Sequence, residues 1–144
     1  MEPYKVSGNN FIPDVCLDKD RGVFVIGGRS IPENPNTIYD PIIEWWKNYA
    51  NEPNANTIID LGFEYVNSSS MKQIARIMAL LDTIHENKKS RVMARWHYNE
   101  FDTDSKNQAE RLSKMVNFPF TLVADASKQT VKCLTTNRTY CSQY

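Results

Sequence analysis

Residues 57–87 place two hydrophobic periodicities back to back, and that juncture constrains the fold more than any other part of the chain. Thr57-Ile58-Ile59-Asp60-Leu61-Gly62-Phe63-Glu64-Tyr65-Val66 is a mostly apolar run rich in β-branched and aromatic residues, the signature of a buried strand. Beyond Asn67, the residues Met71, Ile74, Ile77, Met78, Leu81 and Ile84 recur at intervals of three and four. That spacing predicts an amphipathic helix over about 69–87. A strand that runs straight into a long helix belongs to a crossover unit, and the next strand then pairs in parallel through a right-handed connection. The run Val92-Met93-Ala94-Arg95-Trp96, within 91–98, supplies that next strand.

The same alternation extends in both directions. Residues 11–30 read as a β-hairpin, with Val15 and Leu17 on one arm and Val23-Phe24-Val25-Ile26 on the other. Asp18-Lys19-Asp20-Arg21-Gly22 provides the turn, and Gly22 can take a positive φ there. Gly27-Gly28 is expected to end the second arm. A rigid loop, Ile31-Pro32-Glu33-Asn34-Pro35-Asn36, leads to a helix over about 37–50, capped by Asn36 or Thr37, with Ile38, Ile42, Trp45, Trp46 and Tyr49 at helical spacing. Pro41 is tolerable there only within the first turn. A third helix is expected over about 105–116 and a last strand over 118–123. The prediction is a single α/β domain, 1–125, with a mixed β-sheet, an N-terminal hairpin and about three packed helices. Its core should include Val25, Ile42, Ile59, Leu61, Ile74, Leu81, Val92, Leu112 and Leu122. Residues 126–144 are polar and read as a C-terminal extension, either flexible or adding one short strand, that the domain does not need in order to fold.

Composition narrows the function. Lys plus Arg and Asp plus Glu both number 17, so the formal charge is zero, which leaves no excess of cations to attract nucleic acid. No apolar run approaches the ~20 residues that span a bilayer. The first ten residues are polar and lack the apolar stretch of a signal peptide, which leads to the expectation of a cytoplasmic protein. The three cysteines, Cys16, Cys133 and Cys141, fit no zinc spacing. Cys16, on an expected strand, reads as a small buried hydrophobe; Cys133 and Cys141 pair only if oxidised, and for these two reduced thiols are expected. No metal or cofactor is expected.

Catalytic signatures are scarce. The two histidines are His85, at a helix end where a cation suits the dipole, and His97, at a strand end. His97 with the Glu100, Asp102, Asp104 loop forms the one alternative of a different class, a small metal-assisted hydrolase or transferase. That loop also reads as solvated, with Asp104 or Ser105 capping the third helix. A Ser68, His97, Asp102 triad lacks a nucleophile elbow. Adjacent Trp45 and Trp46 differ by about 100° around a helix, so one of the two is expected to stay accessible as a partner surface.

The chemistry that remains is Ser68-Ser69-Ser70 at the strand-to-helix juncture. The first turn of a helix has unsatisfied N–H groups and a partial positive charge. A hydroxyl there can be a cap, an anion ligand or a phosphorylation switch. As a cap, Ser69 or Ser70 is worth about 1 kcal/mol and needs no function. Asn67 adds to the functional side because its amide can orient a neighbouring hydroxyl or phosphate.

Several segments resemble, in order and at similar spacing, the SiaC-like family of biofilm-regulating phosphoproteins, which look like STAS-type antagonists of partner-switching systems. They are Ile31-Pro32-Glu33-Asn34 with Tyr39 and Trp45, Tyr65-Val66-Asn67-Ser68-Ser69-Ser70 with Lys72, Arg95-Trp96-His97-Tyr98, and Phe118-Pro119-Phe120. The resemblance covers about 14–123 and implies a STAS-like fold. It implies no enzymatic activity. It implies that the hydroxyl after Asn67, Ser68, is phosphorylated by a cognate Ser/Thr kinase and released by a PP2C-type phosphatase. The unphosphorylated form is then expected to bind and activate a diguanylate cyclase. The family usually has threonine at that position. Asn67, Ser69 and Lys72 form the expected surroundings of the switch, and Glu33 and Asn34 a neighbouring partner surface.

Overall fold

The computed structural model of the protein describes residues 1–125; the extension at 126–144 lies outside the described residues. The elements follow as β1 (Tyr4–Val6), β2 (Asp14–Asp18), β3 (Val23–Ser30), α1 (Pro35–Tyr49), β4 (Asn56–Val66), α2 (Ser68–Glu86), β5 (Arg91–Asn99), α3 (Thr103–Ser113) and β6 (Phe120–Asp125). The six strands form one sheet in sequence order. β1, β2 and β3 pair antiparallel, and β3 through β6 pair parallel. This is the expected mixed α/β architecture.

Strand order equal to sequence order has a strong consequence. Each right-handed crossover steps one strand in the same direction, so α1, α2 and α3 all fall on one face of the sheet. Burial agrees. In β5, Val92, Ala94, Trp96 and Tyr98 join the core beneath the helices, while Arg91, Met93, Arg95 and His97 alternate onto the other face. The described residues therefore form two layers, with one face of the sheet covered by α1, α2 and α3 and the other covered by none of these helices.

The core beneath the helices holds Ile42, Ile59, Leu61, Ile74, Leu81, Val92 and Leu112, as expected. Leu122 is only partly buried because β6 is an edge strand. Val25 is buried but alternates onto the opposite face from its neighbours Phe24 and Ile26. An aromatic cluster of Phe24, Trp45, Trp46 and Tyr49 fixes α1 to the sheet, with ring centroids 5.1–6.1 Å apart.

Several boundaries differ from the sequence expectation, each for a local reason. β1 was not expected: its three residues pair with β2 in a register that starts at Tyr4 opposite Leu17. Gly22, at φ +67°, closes the β2–β3 turn with its N–H on the Lys19 carbonyl, 3.1 Å away. Gly28 does not end β3. It takes φ +90° at a register shift against β4, where a side chain would meet the Asp14 carboxylate, and the strand continues to Ser30. α1 starts earlier than expected, with Asn34 as N-cap and Pro35 in its first turn. Pro41 therefore sits inside the helix, where it removes the N–H that would reach the Thr37 carbonyl. α3 is capped by Asp102, not by Asp104 or Ser105. Cys16 is buried, as expected.

Candidate functional site

Parallel strands bring every loop that follows them to one end of the sheet. The loops after β3, β4 and β5 carry Glu33 and Asn34, Asn67, and Glu100 with Asp102 respectively. The β4–α2 junction lies between the other two. It is pinned from below by Ser30, the last residue of β3, whose carbonyl accepts the Asn67 N–H at 3.1 Å.

The three serines occupy the first three helical positions of α2 and have three different environments. Asn67 is the N-cap: its Oδ1 accepts the Ser70 N–H at 2.9 Å. This corrects the expectation that Ser69 or Ser70 is the cap. Ser70 is fully buried, and its hydroxyl meets Ser30 Oγ at 2.8 Å and the Ser30 carbonyl at 3.2 Å. Ser30 Oγ in turn bonds the Tyr39 hydroxyl of α1 at 2.7 Å. Burial pushes the Tyr39 hydroxyl up to about 12, against the pull of its hydroxyl neighbours, so the network stays neutral. Ser69 is half-buried and donates to Asn67 Oδ1 at 3.0 Å. Ser68 is exposed. The N–H groups of Ser68 and Ser69 have no acceptor within the helix, and the positive end of the α2 dipole lies among them.

Ser68 stands on the rim of a cleft of about 660 Å³ between α2 and α3. The cleft carries two cations, Lys72 and Arg111, and three carboxylates, Glu64, Asp102 and Asp104. Its apolar contribution includes Met115 and Tyr65, exposed by 63% and 54%, a large apolar surface to leave in water. Lys72 is exposed, one turn along from Ser68.

The other sequence candidates distribute unevenly. Glu33 and Asn34 are exposed at the same end of the sheet as Ser68. Trp45 and Trp46 are 7% and 0% exposed, so neither offers a partner surface. The N-terminal segment covers what α1 would have left open: Trp45 Nε1 donates to the Glu2 carbonyl at 2.9 Å. His97 does not gather with Glu100, Asp102 and Asp104. It lies on the helix-free face, with Nε2 2.8 Å from Asp60 Oδ1. Asp60 also takes a bidentate ion pair from Arg95, at 2.7 and 2.8 Å. Burial alone would raise the Asp60 carboxyl, but the bonds from His97 and Arg95 prevail and hold it below the ordinary range. Asp102 is occupied in capping α3. His85 lies in the last turn of α2, as expected, and its Nδ1 accepts the Val92 N–H at 3.2 Å. Among the described residues, no group of three or more His, Cys, Asp or Glu is placed to hold a metal ion. The Asp60–Arg95–His97 cluster was missed, although charges inside two apolar strand runs were its signal.

Comparison with known proteins identifies the family. A family model described as the SiaC family regulatory phosphoprotein matches residues 6–125. An uncharacterized protein of Pseudomonas aeruginosa strain UCBPP-PA14 is 27% identical over 124 residues, covering 86% of this chain and 98% of that protein. The structure of SiaC of Pseudomonas aeruginosa superposes with a TM-score of 0.79 at 27% identity, over 87% of this chain and all of that one. A crystal structure of the diguanylate cyclase SiaD in complex with its activator SiaC, from the same organism, contains a chain that matches equally well, at TM-score 0.79 and 27% identity over 85% of this chain and 99% of that one. With a match that takes in all three helices and five of the six strands in full, the chain belongs to the SiaC family, as a regulatory phosphoprotein and not an enzyme.

Proposed function

We propose that Ser68 is the phosphorylated residue and that its state decides whether the α2–α3 end of the domain binds a diguanylate cyclase. The observation that carries the assignment is the division of labour among the three serines. Ser70 is buried in a hydroxyl network and Ser69 is held by Asn67, whereas Ser68 is exposed at the helix terminus. SiaC, at 27% identity, is the activator found in complex with the cyclase SiaD, and the same class of partner is assigned here.

The cleft explains why a phosphate there acts as a switch. Asp102 and Asp104 offset Lys72 and Arg111, and Glu64 is paired with Arg29 at 3.5 Å, so a phosphate of charge about −1.5 to −2 is only partly neutralised. The unmodified rim, with Met115 and Tyr65 exposed, suits close apolar contact with a partner. The phosphorylated rim must keep water around its charge, and it repels an apolar or acidic partner surface. Glu33 and Asn34 extend the partner surface along the same end. A Ser/Thr kinase and a PP2C-type phosphatase set the state, and the exchange takes place in the cytoplasm.

Intact-mass measurement tests the assignment. Protein incubated with its cognate kinase and ATP should gain one phosphate, and Ser68→Ala should gain none. Phosphate that persists in Ser68→Ala and maps to Ser69 would refute it.

A further inference from the structure

Two phenylalanines stand in water at the end of the sheet that carries Ser68. Phe11, in the loop between β1 and β2, is 61% exposed, and Phe101, between β5 and α3, is 81% exposed. Neither sits on a slack loop. Each N–H is held by the side chain of an asparagine two residues earlier: Asn9 Oδ1 accepts the Phe11 N–H at 2.8 Å, and Asn99 Oδ1 accepts the Phe101 N–H at 2.9 Å. Both turns are also tied to the sheet. The Phe11 carbonyl accepts the Ile31 N–H at 2.8 Å, just past β3, and the Glu100 N–H donates to the Asp125 carbonyl of β6 at 2.9 Å. Two Asx turns therefore fix the backbone that presents two large apolar rings to solvent, a placement that the core does not use and that hydration disfavours.

The pair brackets Ser68. Phe11 extends the line of β2 and Phe101 that of β5, three strand spacings or about 14 Å apart, and Ser68 follows β4, which lies between them. A contact patch of about 800 Å² is about 30 Å across, so an interface centred on Ser68 takes in both rings. The loops at this end, 7–13, 31–34, 67 and 100–102, carry Glu33, Glu100 and Asp102 and no lysine or arginine.

Whatever phosphorylates Ser68 has to approach over this rim. Ser68 is the first residue of α2, with Asn67 as its N-cap. A kinase that takes its acceptor as an extended peptide would have to unwind that turn, breaking the Asn67 bond to the Ser70 N–H and the buried bond from Ser70 to Ser30. A kinase that takes the folded end keeps both, and it must find its recognition on the surface around Ser68 instead of in the flanking sequence. We infer that Phe11 and Phe101 are the anchors by which the Ser68 kinase docks on the folded domain, in two apolar pockets either side of its active site, with cationic groups facing Glu33 and Glu100. This docking rests on the reading of Ser68 as the acceptor. In the docked pair Ser68 Oγ attacks the γ-phosphorus of ATP. The new O–P bond forms as the bond from that phosphorus to the β-phosphate oxygen breaks, ADP leaves, and the hydroxyl proton passes to a base of the kinase. The two rings touch no reacting atom, so they contribute uniform binding, which appears in KM and not in kcat.

The experiment uses the full chain, its cognate kinase and ATP, with initial rates read by intact mass over a range of protein concentrations. Phe11→Ala and Phe101→Ala should each lower kcat/KM by about tenfold or more, carried by KM, with kcat within about twofold of wild type. Phe101→Leu, which keeps an apolar anchor, should recover most of the loss. Melting temperatures should stay near wild type, since neither ring packs in the core. A synthetic peptide of residues 60–78 should be a poor substrate. A double variant, Phe11→Ala with Phe101→Ala, whose kcat/KM matches wild type while phosphate still maps to Ser68 would overturn the anchors and leave the acceptor standing. Phosphate mapped to Ser69 or Ser70 in the wild type would overturn the acceptor and the docking with it. A peptide phosphorylated as fast as the full chain would overturn recognition of the folded end. Unchanged phosphorylation of the double variant together with weakened binding to a diguanylate cyclase would overturn the kinase as the occupant and assign the rings to the cyclase.

Discussion

Asn67→Ala probes how the switch is built. Asn67 Oδ1 holds two groups at the start of α2, the Ser70 N–H at 2.9 Å and the Ser69 hydroxyl at 3.0 Å. The Ser69 hydroxyl is half-buried and can turn to water, so its loss contributes little. The Ser70 N–H belongs to a fully buried residue and has no other acceptor within reach of the helix geometry. Removing a cap of this kind costs about 1 kcal/mol, within a range of about 0.5–2. In a domain of this size that corresponds to a drop of about 3–5 °C in Tm. Asn67→Asp keeps the acceptor and adds a negative charge at the positive end of the helix dipole, worth about 0.3–1 kcal/mol. Its Tm should equal or exceed that of the wild type at neutral pH and low salt. Thermal melts followed by circular dichroism compare the three proteins. An Asn67→Ala melt within a degree of wild type, or an Asn67→Asp melt as low as that of Asn67→Ala, would show that the side chain does not cap α2 as described.

Leu81→Ala should lower stability by about 2–5 kcal/mol in urea denaturation, because a fully buried leucine leaves a cavity under α2. Asp60 is held below its ordinary range in the folded state, so its contribution is fully present above the unfolded value of about 3.9 and fades as pH falls through the folded value. Asp60→Asn should therefore be less stable than wild type at neutral pH and lose that difference in strong acid, as read from unfolding curves at both pH values. Ser68→Asp should bind a candidate diguanylate cyclase more weakly in calorimetry, with Tm almost unchanged, while Ser68→Ala should bind as the wild type does. Equal affinities for Asp, phosphoserine and unmodified protein would remove the switch, because a modification that both states tolerate equally shifts nothing.

The parts of the fold legible in the sequence are those where a single periodicity decides. The apolar run of β4 and the three-and-four spacing of α2 needed no tertiary information, and the crossover rule then ordered the parallel strands. Helix starts were less legible. Asn34 before Pro35, Asn67 before three serines and Asp102 before Thr103 each stood next to other good capping residues, and the choice among them rests on tertiary pinning, such as the bond from Asn67 N–H to Ser30. The expected accessible tryptophan failed because a helical wheel knows nothing of residues outside the helix. Trp45 is bonded from the N-terminus, by the Glu2 carbonyl just before a strand too short to show any pattern. The Asp60–Arg95–His97 cluster is legible only once the register sets Asp60 beside Arg95.

If Ser68 is the acceptor, as proposed, the environments of the three adjacent serines explain how a phosphate alters binding without unfolding the domain. Successive helix positions turn by about 100°, so three neighbours cannot share one environment. At this helix start the third position faces inward, and Ser70 joins Ser30 and Tyr39 in a link between α2, β3 and α1. The second position faces the cap, and Ser69 completes the bonds of Asn67. A phosphate at either would break contacts that hold the helix end in place. The first position faces solvent and the cleft, so a phosphate on Ser68 displaces nothing the fold depends on. The positive end of the α2 dipole and Lys72 offset part of its charge, and Asp102 and Asp104 prevent full neutralisation. On the proposed assignment to Ser68, the added charge acts on whatever approaches the cleft, and the modification is expected to be read out in partner affinity instead of in stability.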